Sequence, residues 1–178
     1  DAKPYLDALA KLDGVEQMAS YTQLSAEALV DTALVSDDLQ RYMKETGDDL
    51  ATGYDFYVTL KALDDLTLNR YAEEVGVDPE SLRDVDHPRA ILLNAADIRL
   101  ESYQFAHIEF LDMQAGDPFE LLVHNYDMQT GEATLVDQFP IEIAALTSLR
   151  PMTESSQGTG IHSMTFFISQ AVADRLEA

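Results

Sequence analysis

The spacing of apolar residues along the chain predicts short helices that directly follow strands. Residues 36–47 have the clearest helical pattern, because Leu39, Tyr42 and Met43 recur at helical spacing. Ser36 can accept a hydrogen bond from a backbone N–H at the start, and Gly47 can adopt the left-handed conformation that ends a helix. We therefore predict a helix over residues 36–47.

Two further segments predict the same succession of strand and helix. Residues 54–63 are rich in aromatic and branched side chains and predict a strand, after which Asp64 or Asp65 caps a helix that ends near Gly76. Near the C-terminus, residues 164–168 predict a strand, and Ser169 caps a final helix. At the other end of the chain, we predict a short helix over residues 4–12 and a long strand over residues 15–30.

Strand patterns dominate the second half of the chain. The apolar run 90–94 indicates a buried strand, and residues 108–111, 119–126, 133–137 and 139–149 predict further strands, with a hairpin loop at residues 127–131. Residues 95–106 fit neither a helix nor a strand clearly. Residues 150–160 have the Thr, Ser, Gly and Gln content of a long loop.

These elements predict an α+β fold, in which strand-helix units combine with a mostly antiparallel β block. A length of 178 residues suits a single domain covering residues 1–178. One arrangement divides this domain into two subdomains: a strand-helix lobe of residues 1–94 plus 162–178, and a mostly β lobe of residues 95–161.

Composition narrows the classes of function. The chain carries 33 Asp and Glu against 11 Lys and Arg, a formal net charge of -22. Nucleic acid is not an expected partner, and neither is an anionic membrane surface, because both are bound by basic side chains. The hydrophobic residues make up 46% of the chain, which predicts a folded domain. Cysteine is absent, which excludes disulfides and cysteine nucleophiles.

The sequence contains none of the motifs that bind nucleotides or activate a serine. It has neither a Gly-x-x-x-x-Gly-Lys-Ser/Thr loop nor a Gly-x-Ser-x-Gly elbow, and Gly158-Thr159-Gly160 lacks the third Gly of a dinucleotide fingerprint. We interpret this Gly pair, and Ser155-Ser156 beside it, as loop residues. Because these motifs are absent, we predict no cofactor and no enzymatic activity.

The histidines are the side chains that titrate near neutral pH, and they are His87, His107, His124 and His162. On a strand, His107 and Glu109 would share one side with Asp112 nearby, which outlines a metal site. The His-Glu-x-x-His spacing that holds two imidazoles on one helical face is missing. An enzyme would need a pocket that joins at least two of the histidines, or convergent carboxylates. We predict no catalytic, cofactor-binding or metal-binding residue.

Carboxylate pairs raise the question of calcium binding, and they are Asp37-Asp38, Asp48-Asp49 and Asp64-Asp65. Two of the three stand at predicted helix starts, where the helix dipole favours negative charge. Asp84-x-Asp86 resembles the beginning of a calcium loop, but it lacks the Gly and the terminal Glu of such a loop. We therefore interpret the carboxylates as helix starts and solvated surface.

The order of several weak motifs carries a resemblance to a known family. These motifs are Gly14-Val15 after a short helix, residues 57–65 followed by 68–76, the run 88–94, Gly116-Asp117-Pro118-Phe119-Glu120-Leu121, residues 139–146, and the capped helix in 166–176. In this order they resemble the extracytoplasmic (MacB-type periplasmic core) domain of an FtsX-like ABC transporter permease. Pro118 departs from the pattern, because Thr or another β-forming residue is usual there.

The resemblance implies a non-catalytic domain on the extracytoplasmic side of the cell membrane, flanked by membrane helices outside residues 1–178. Such permeases work with a separate cytoplasmic ATPase, and the domain takes part in export or couples ATP hydrolysis mechanically to an external substrate. The expected external partner is a peptide, a lipid-linked substrate or a protein. Two other readings stay open: an extracytoplasmic ligand-sensing or substrate-binding domain, and a hydrolase whose site is assembled only by the fold.

Overall fold

A six-stranded barrel forms the body of the protein in its computed structural model, which describes residues 3–15, 19–46, 53–99, 105–127, 129–151 and 161–177. The strands are β1 (Tyr21–Val30), β2 (Tyr54–Leu63), β3 (Arg89–Leu93), β4 (Ala96–Arg99), β5 (Phe105–Ile108), β6 (Pro118–Tyr126), β7 (Ala133–Thr147) and β8 (Ser163–Ser169). The helices are α1 (Lys3–Leu9), α2 (Asp37–Thr46), α3 (Asp65–Glu74) and α4 (Gln170–Glu177), with 3-10 turns at Thr32–Leu34 and Pro79–Arg83.

The barrel contains both parallel and antiparallel neighbours. Its strand order is β1-β2-β8-β3-β7-β6, with β4 and β5 forming a separate two-stranded sheet. The pairs β2–β8 and β3–β7 are parallel, whereas β1–β2, β3–β8 and β6–β7 are antiparallel. The ring closes where β6 meets β1, through the single residue pair Glu27 and Leu122.

Alternating side chains of the barrel strands fill its interior. On β1, for example, Ala26, Ala28 and Val30 are buried, whereas the residues between them are more accessible. Rings from Phe56, Phe119 and Phe166 occupy the same core, and Phe56 pairs with the small Ala28 across β1 and β2.

Helices pack against both ends of the barrel. Leu39 and Met43 of α2 join the core at the end where β2 begins, and Met43 accepts a 3.6 Å contact from the Tyr54 hydroxyl. At the opposite end, α4 starts directly after β8 and buries Val172 and Ala173 against the core.

One outer side of the barrel is covered and the other is open. Tyr71 of α3 packs edge-on against Phe167 of β8 with ring centroids 5.1 Å apart, in a second apolar cluster that includes Ile91 and Leu93 of β3. Strands β3 and β8 are therefore buried on both faces, which explains their continuous apolar sequence. On the outer face of β1 and β2, in contrast, Leu29 is 59% exposed and Tyr57 is 67% exposed.

The α+β class is confirmed at the coarse level, with helices that follow β2 and β8 as expected. The structure does not confirm a separate, mostly antiparallel lobe, because β6 and β7 pair with β1 and β3 in the same ring. The two strands expected in residues 133–149 form one strand, β7. The unclear segment 95–106 contributes β4 and the start of β5. Most of the expected loop, residues 152–160, lies outside the described residues.

The caps of three helices were predicted correctly. Ser36 accepts a hydrogen bond from the Leu39 backbone N–H at 3.1 Å, as a helix cap should. Asp64 caps α3 by accepting from the Thr67 N–H at 2.9 Å. Ser169 accepts a hydrogen bond from the Val172 N–H at 3.2 Å at the start of α4. The end expected for the first of these helices, Gly47, lies outside the described residues. The expected strand 15–30 begins only at Tyr21, and the expected helix 4–12 spans Lys3–Leu9.

Candidate functional site

The four histidines occupy different surroundings, and two of them line the same hollow. His87 is exposed, with its Nδ1 3.2 Å from Asp84, and His107 is exposed on β5. His124 of β6 and His162, just before β8, line one hollow on the open side of the barrel. The requirement stated for an enzyme, a pocket that joins two histidines, is therefore met, although this alone defines no nucleophile.

The carboxylates singled out in the sequence have local structural roles. Asp37 and Asp38 lie in the first turn of α2, and Asp38 is 3.1 Å from Arg41. Asp65 lies 2.9 Å from Arg83. Asp48-Asp49, Ser155-Ser156 and Gly158-Thr159-Gly160 lie outside the described residues.

The Asp84 turn is explained by its own hydrogen bonds. The backbone N–H groups of His87 and Asp86 donate to the Asp84 carboxylate, and together with the His87 ring they lower the pKa of Asp84. Within the described ranges, no group of three or more His, Asp or Glu side chains is arranged to hold a metal ion. His107, Glu109 and Asp112 are therefore not arranged to hold a metal ion.

The weakest junction of the barrel lies between β1 and β6. Strand β1 pairs with β2 over all ten of its residues, but with β6 only through Glu27 and Leu122. A side-chain contact reinforces this junction, since His124 Nδ1 lies 2.8 Å from the Glu27 carboxylate. We call this junction the seam.

Two adjoining hollows follow the outer side of the seam, with volumes of about 330 and 560 Å³. They share four lining residues, so we treat them as one groove and call it the seam groove. Its lining consists of Ser25, Ala26, Glu27, Leu29, Asp55, Phe56, Tyr57, Leu122, His124 and His162.

The seam groove combines exposed apolar surface with acidic groups. Tyr57 and Leu29 are more than half exposed, and Leu122 is partly buried between them and His124. Glu27 and His124 are partly buried, with 27% and 19% of their side-chain surfaces exposed, whereas Asp55 is exposed. Such a surface can contact an apolar or aromatic group and pair with a cation at the same time.

His162 is held at one end of the seam groove by a buried tyrosine. The Tyr54 hydroxyl and His162 Nδ1 are 2.6 Å apart, and the two rings stack with centroids separated by 5.4 Å. Because Tyr54 itself is only 6% exposed and contacts Met43 of α2, the position of His162 is tied to the core.

A second concave region lies at the end of the barrel near α2. Asp37, Asp38, Arg41, Glu109 and Asp112 line one hollow there. Asn94 lines its neighbour, and its side-chain amide exchanges two 2.8 Å hydrogen bonds with the backbone of Leu111. This region is strongly acidic and carries no aromatic side chain in its lining.

The sequence reasoning missed Glu27, Tyr57 and Leu122 as members of a site. The partial alternation of residues 15–30 indicated which residues share a face of β1, but the register that places Leu122 opposite Glu27 joins segments 95 positions apart. Only the fold brings these residues together.

Comparisons with protein-family models, with curated proteins and with solved structures find no match to this chain. None of the helices in the described part of the chain has the length and apolar character of a membrane span. The function is therefore argued from the site itself.

Proposed function

We propose that this chain is the extracytoplasmic domain of an FtsX-like ABC transporter permease, and that it is a non-catalytic domain that binds a protein or peptide partner through the seam groove. In this role it couples ATP hydrolysis by a cytoplasmic ATPase mechanically to a partner outside the membrane. The observation that carries the binding role is the exposed pair Tyr57 and Leu29 on the outer face of β1 and β2, beside the seam groove.

The contrast between the two sides of the barrel supports this choice of surface. On the covered side, α3 buries the outward side chains of β3 and β8. On the open side, large apolar side chains face solvent beside a groove, and aromatic anchors next to grooves are typical of protein-binding surfaces.

The permease assignment adds the prediction of a coupled ATPase, which can be tested on the full-length protein in its native membrane. We expect the full-length protein to purify with a nucleotide-hydrolysing subunit, and protease added from outside the cell to reach this domain. Replacing Tyr57 by Ala should change the partner-dependent ATP hydrolysis. Tyr5→Ala is the matched control, because Tyr5 is 74% exposed on α1, away from the seam.

Two results would contradict this proposal. The first is a full-length protein that is found in the cytosol and purifies without any ATPase. The second is equal loss of partner-dependent hydrolysis in Tyr57→Ala and Tyr5→Ala, because the groove would then have no special role.

A ligand-sensing or substrate-binding domain is the second candidate, and the larger hollow of the seam groove favours it. About 560 Å³ lies between Glu27, Asp55, His124 and His162, within the size range of pockets for small molecules. A small cationic ligand that binds only the folded state would raise the melting temperature. A thermal-shift screen of amines and guanidines, repeated with Asp55→Asn, tests this candidate, and shifts that survive the substitution would argue against the groove as its site.

A further inference from the structure

We infer that the seam groove binds an extended, basic segment of the partner protein, with Tyr57 as its apolar anchor and Glu27 and Asp55 as its charge partners. This inference rests on the proposed function and specifies the chemistry of the partner. It follows from the shape, the exposed side chains and the charge of the groove.

The shape of the groove suits an extended chain. Its lining follows β1 from Ser25 to Leu29, a length of about 13 Å at the rise of a β-strand. That length accommodates about five residues of an extended peptide. Beyond the pair Glu27 and Leu122, no strand pairing joins β1 to β6 among the described residues, and the groove runs along the outer side of this junction.

The exposed side chains provide alternating points of contact. Tyr57 and Leu29 project from neighbouring strands, since Tyr57 pairs with Glu27 and Leu29 pairs with Asp55 in the β1–β2 register. Each apolar residue thus has a carboxylate directly across from it. An extended peptide turns every second side chain to the same side, so a peptide whose apolar and basic residues alternate at every second position would match this arrangement.

Charge selects a basic partner over a second copy of this chain. The formal charge of -22 makes association of two copies unfavourable over long range, whereas it attracts a cationic segment and steers it toward the surface. Near the groove, Glu120 lies on the same outward side of β6 as Leu122 and is exposed. Lys61 on β2 lies over the Tyr21 ring at 5.1 Å, farther along the same face.

The acidic region beside α2 is the competing site for a basic segment. It holds more carboxylates than the seam groove, and each site contains one carboxylate that already has a partner: Asp38 lies 3.1 Å from Arg41, and Glu27 lies 2.8 Å from His124. Carboxylates alone give weak, salt-screened attraction. The seam groove adds exposed apolar area, which supplies affinity that salt does not remove.

The test uses a synthetic probe with this alternation. It is a capped nonapeptide, Lys-Ser-Val-Ser-Lys-Ser-Val-Ser-Lys, in which lysine and valine alternate at every second position. It carries a fluorescent label, whose anisotropy is followed as the protein is added. A peptide of the same composition, with its lysines and valines in separate blocks, measures attraction by charge alone. We expect the alternating peptide to bind at least tenfold more tightly than the block peptide at about 50 mM salt, and to weaken as salt increases.

Matched variants locate the binding. Tyr57→Ala should weaken the alternating peptide about tenfold, and Asp55→Asn should weaken it about threefold, because each removes one type of contact. Their controls are Tyr5→Ala and Asp86→Asn, which remove the same groups from exposed sites elsewhere and should leave binding unchanged. All four positions are exposed, so loss of folding is not expected to confuse the comparison.

Equal binding of the two peptides, or equal loss in a variant and its control, would overturn the inference. The proposed function is judged separately, by the ATPase that accompanies the full-length protein. If that ATPase is found and responds to Tyr57→Ala while the alternating peptide fails to bind preferentially, the partner is not a basic extended segment, although the groove remains its site. If no ATPase is found but the peptide binds as expected, the permease assignment alone is wrong.

Discussion

Replacing Asn94 by Asp tests whether the side chain of this residue holds the end of β3 to the loop at Leu111. The Asn94 amide donates to the Leu111 carbonyl at 2.8 Å, and its oxygen accepts from the Leu111 N–H at 2.8 Å. Asn94 is only 7% exposed. Asp has the same shape and can still accept from the Leu111 N–H. In place of the Asn94 amide N–H, however, it puts a carboxylate oxygen against the Leu111 carbonyl.

The cost at neutral pH has two parts. Loss of one buried hydrogen bond that leaves the Leu111 carbonyl without its donor costs about 1–3 kcal/mol. Placing a carboxylate charge in this buried position adds a further cost, so we expect a total of about 3 kcal/mol. Asn94→Ala removes both bonds without adding a charge, and we expect it to cost about 2 kcal/mol.

The pH dependence separates the two variants. Burial and the facing carbonyl raise the pKa of the introduced carboxyl in the folded state above its unfolded value of about 3.9. Protonation therefore favours the folded state. The destabilisation is fully present above the raised pKa and diminishes as pH falls through it, because the protonated group can donate to the Leu111 carbonyl. The Asn94→Ala deficit should not change with pH.

Urea unfolding followed by circular dichroism measures both variants against the unchanged protein, at about pH 7.5 and again at about pH 5. We expect the deficit of Asn94→Asp to shrink between these two values while that of Asn94→Ala stays constant. A neutral-pH stability of Asn94→Asp equal to that of the unchanged protein would refute the pairing with Leu111. A deficit that does not depend on pH would refute the charge contribution.

Three further predictions concern single side chains. Tyr71→Phe removes a hydroxyl that donates to the Leu149 carbonyl at 2.8 Å and should lower the free energy of unfolding by about 1 kcal/mol in a thermal melt. Ser36→Ala removes the cap of α2 and the hydrogen bond that the hydroxyl donates to the Glu109 carbonyl, and should cost about 1–2 kcal/mol in the same assay. The His87 N–H donates to the Asp84 carboxylate and lowers the pKa of Asp84. This hydrogen bond therefore persists above the unfolded pKa and is lost as pH falls through the folded pKa. An NMR titration of the His87 amide should have its midpoint below 3.8.

Elements with strong local signals could be predicted from the sequence. The caps Ser36 and Asp64 and the apolar run of β3 depend on residues within a few positions of each other, so the pattern contains the necessary information. The start of β1 was placed too early, because only partial alternation marks that boundary.

The barrel and the seam groove could not be predicted, because both depend on pairing between distant segments. Glu27 meets His124 only when β6 closes the ring against β1. The same closure puts β6 and β7 into one sheet with β1 and β2, where the sequence favoured a separate lobe. Alternation within β2 places Tyr57 on the outer face of the barrel. Whether that face is exposed depends on where α3 packs, which alternation does not determine.

The resemblance to an FtsX-like permease domain stays a prediction. It implies a non-catalytic domain with an external partner. The groove is defined without it, since its lining and exposure come from the described residues alone.

The most direct test of the seam groove as the binding surface is an NMR map of backbone amides, recorded while the alternating lysine and valine peptide is added. The largest shifts are expected in residues 25–29 of β1, at residues 122–124 of β6 and at Tyr57, where the groove is lined. Shifts that instead centre on Asp37, Glu109 and Asp112 would contradict this, because the peptide would then be bound by the acidic region beside α2.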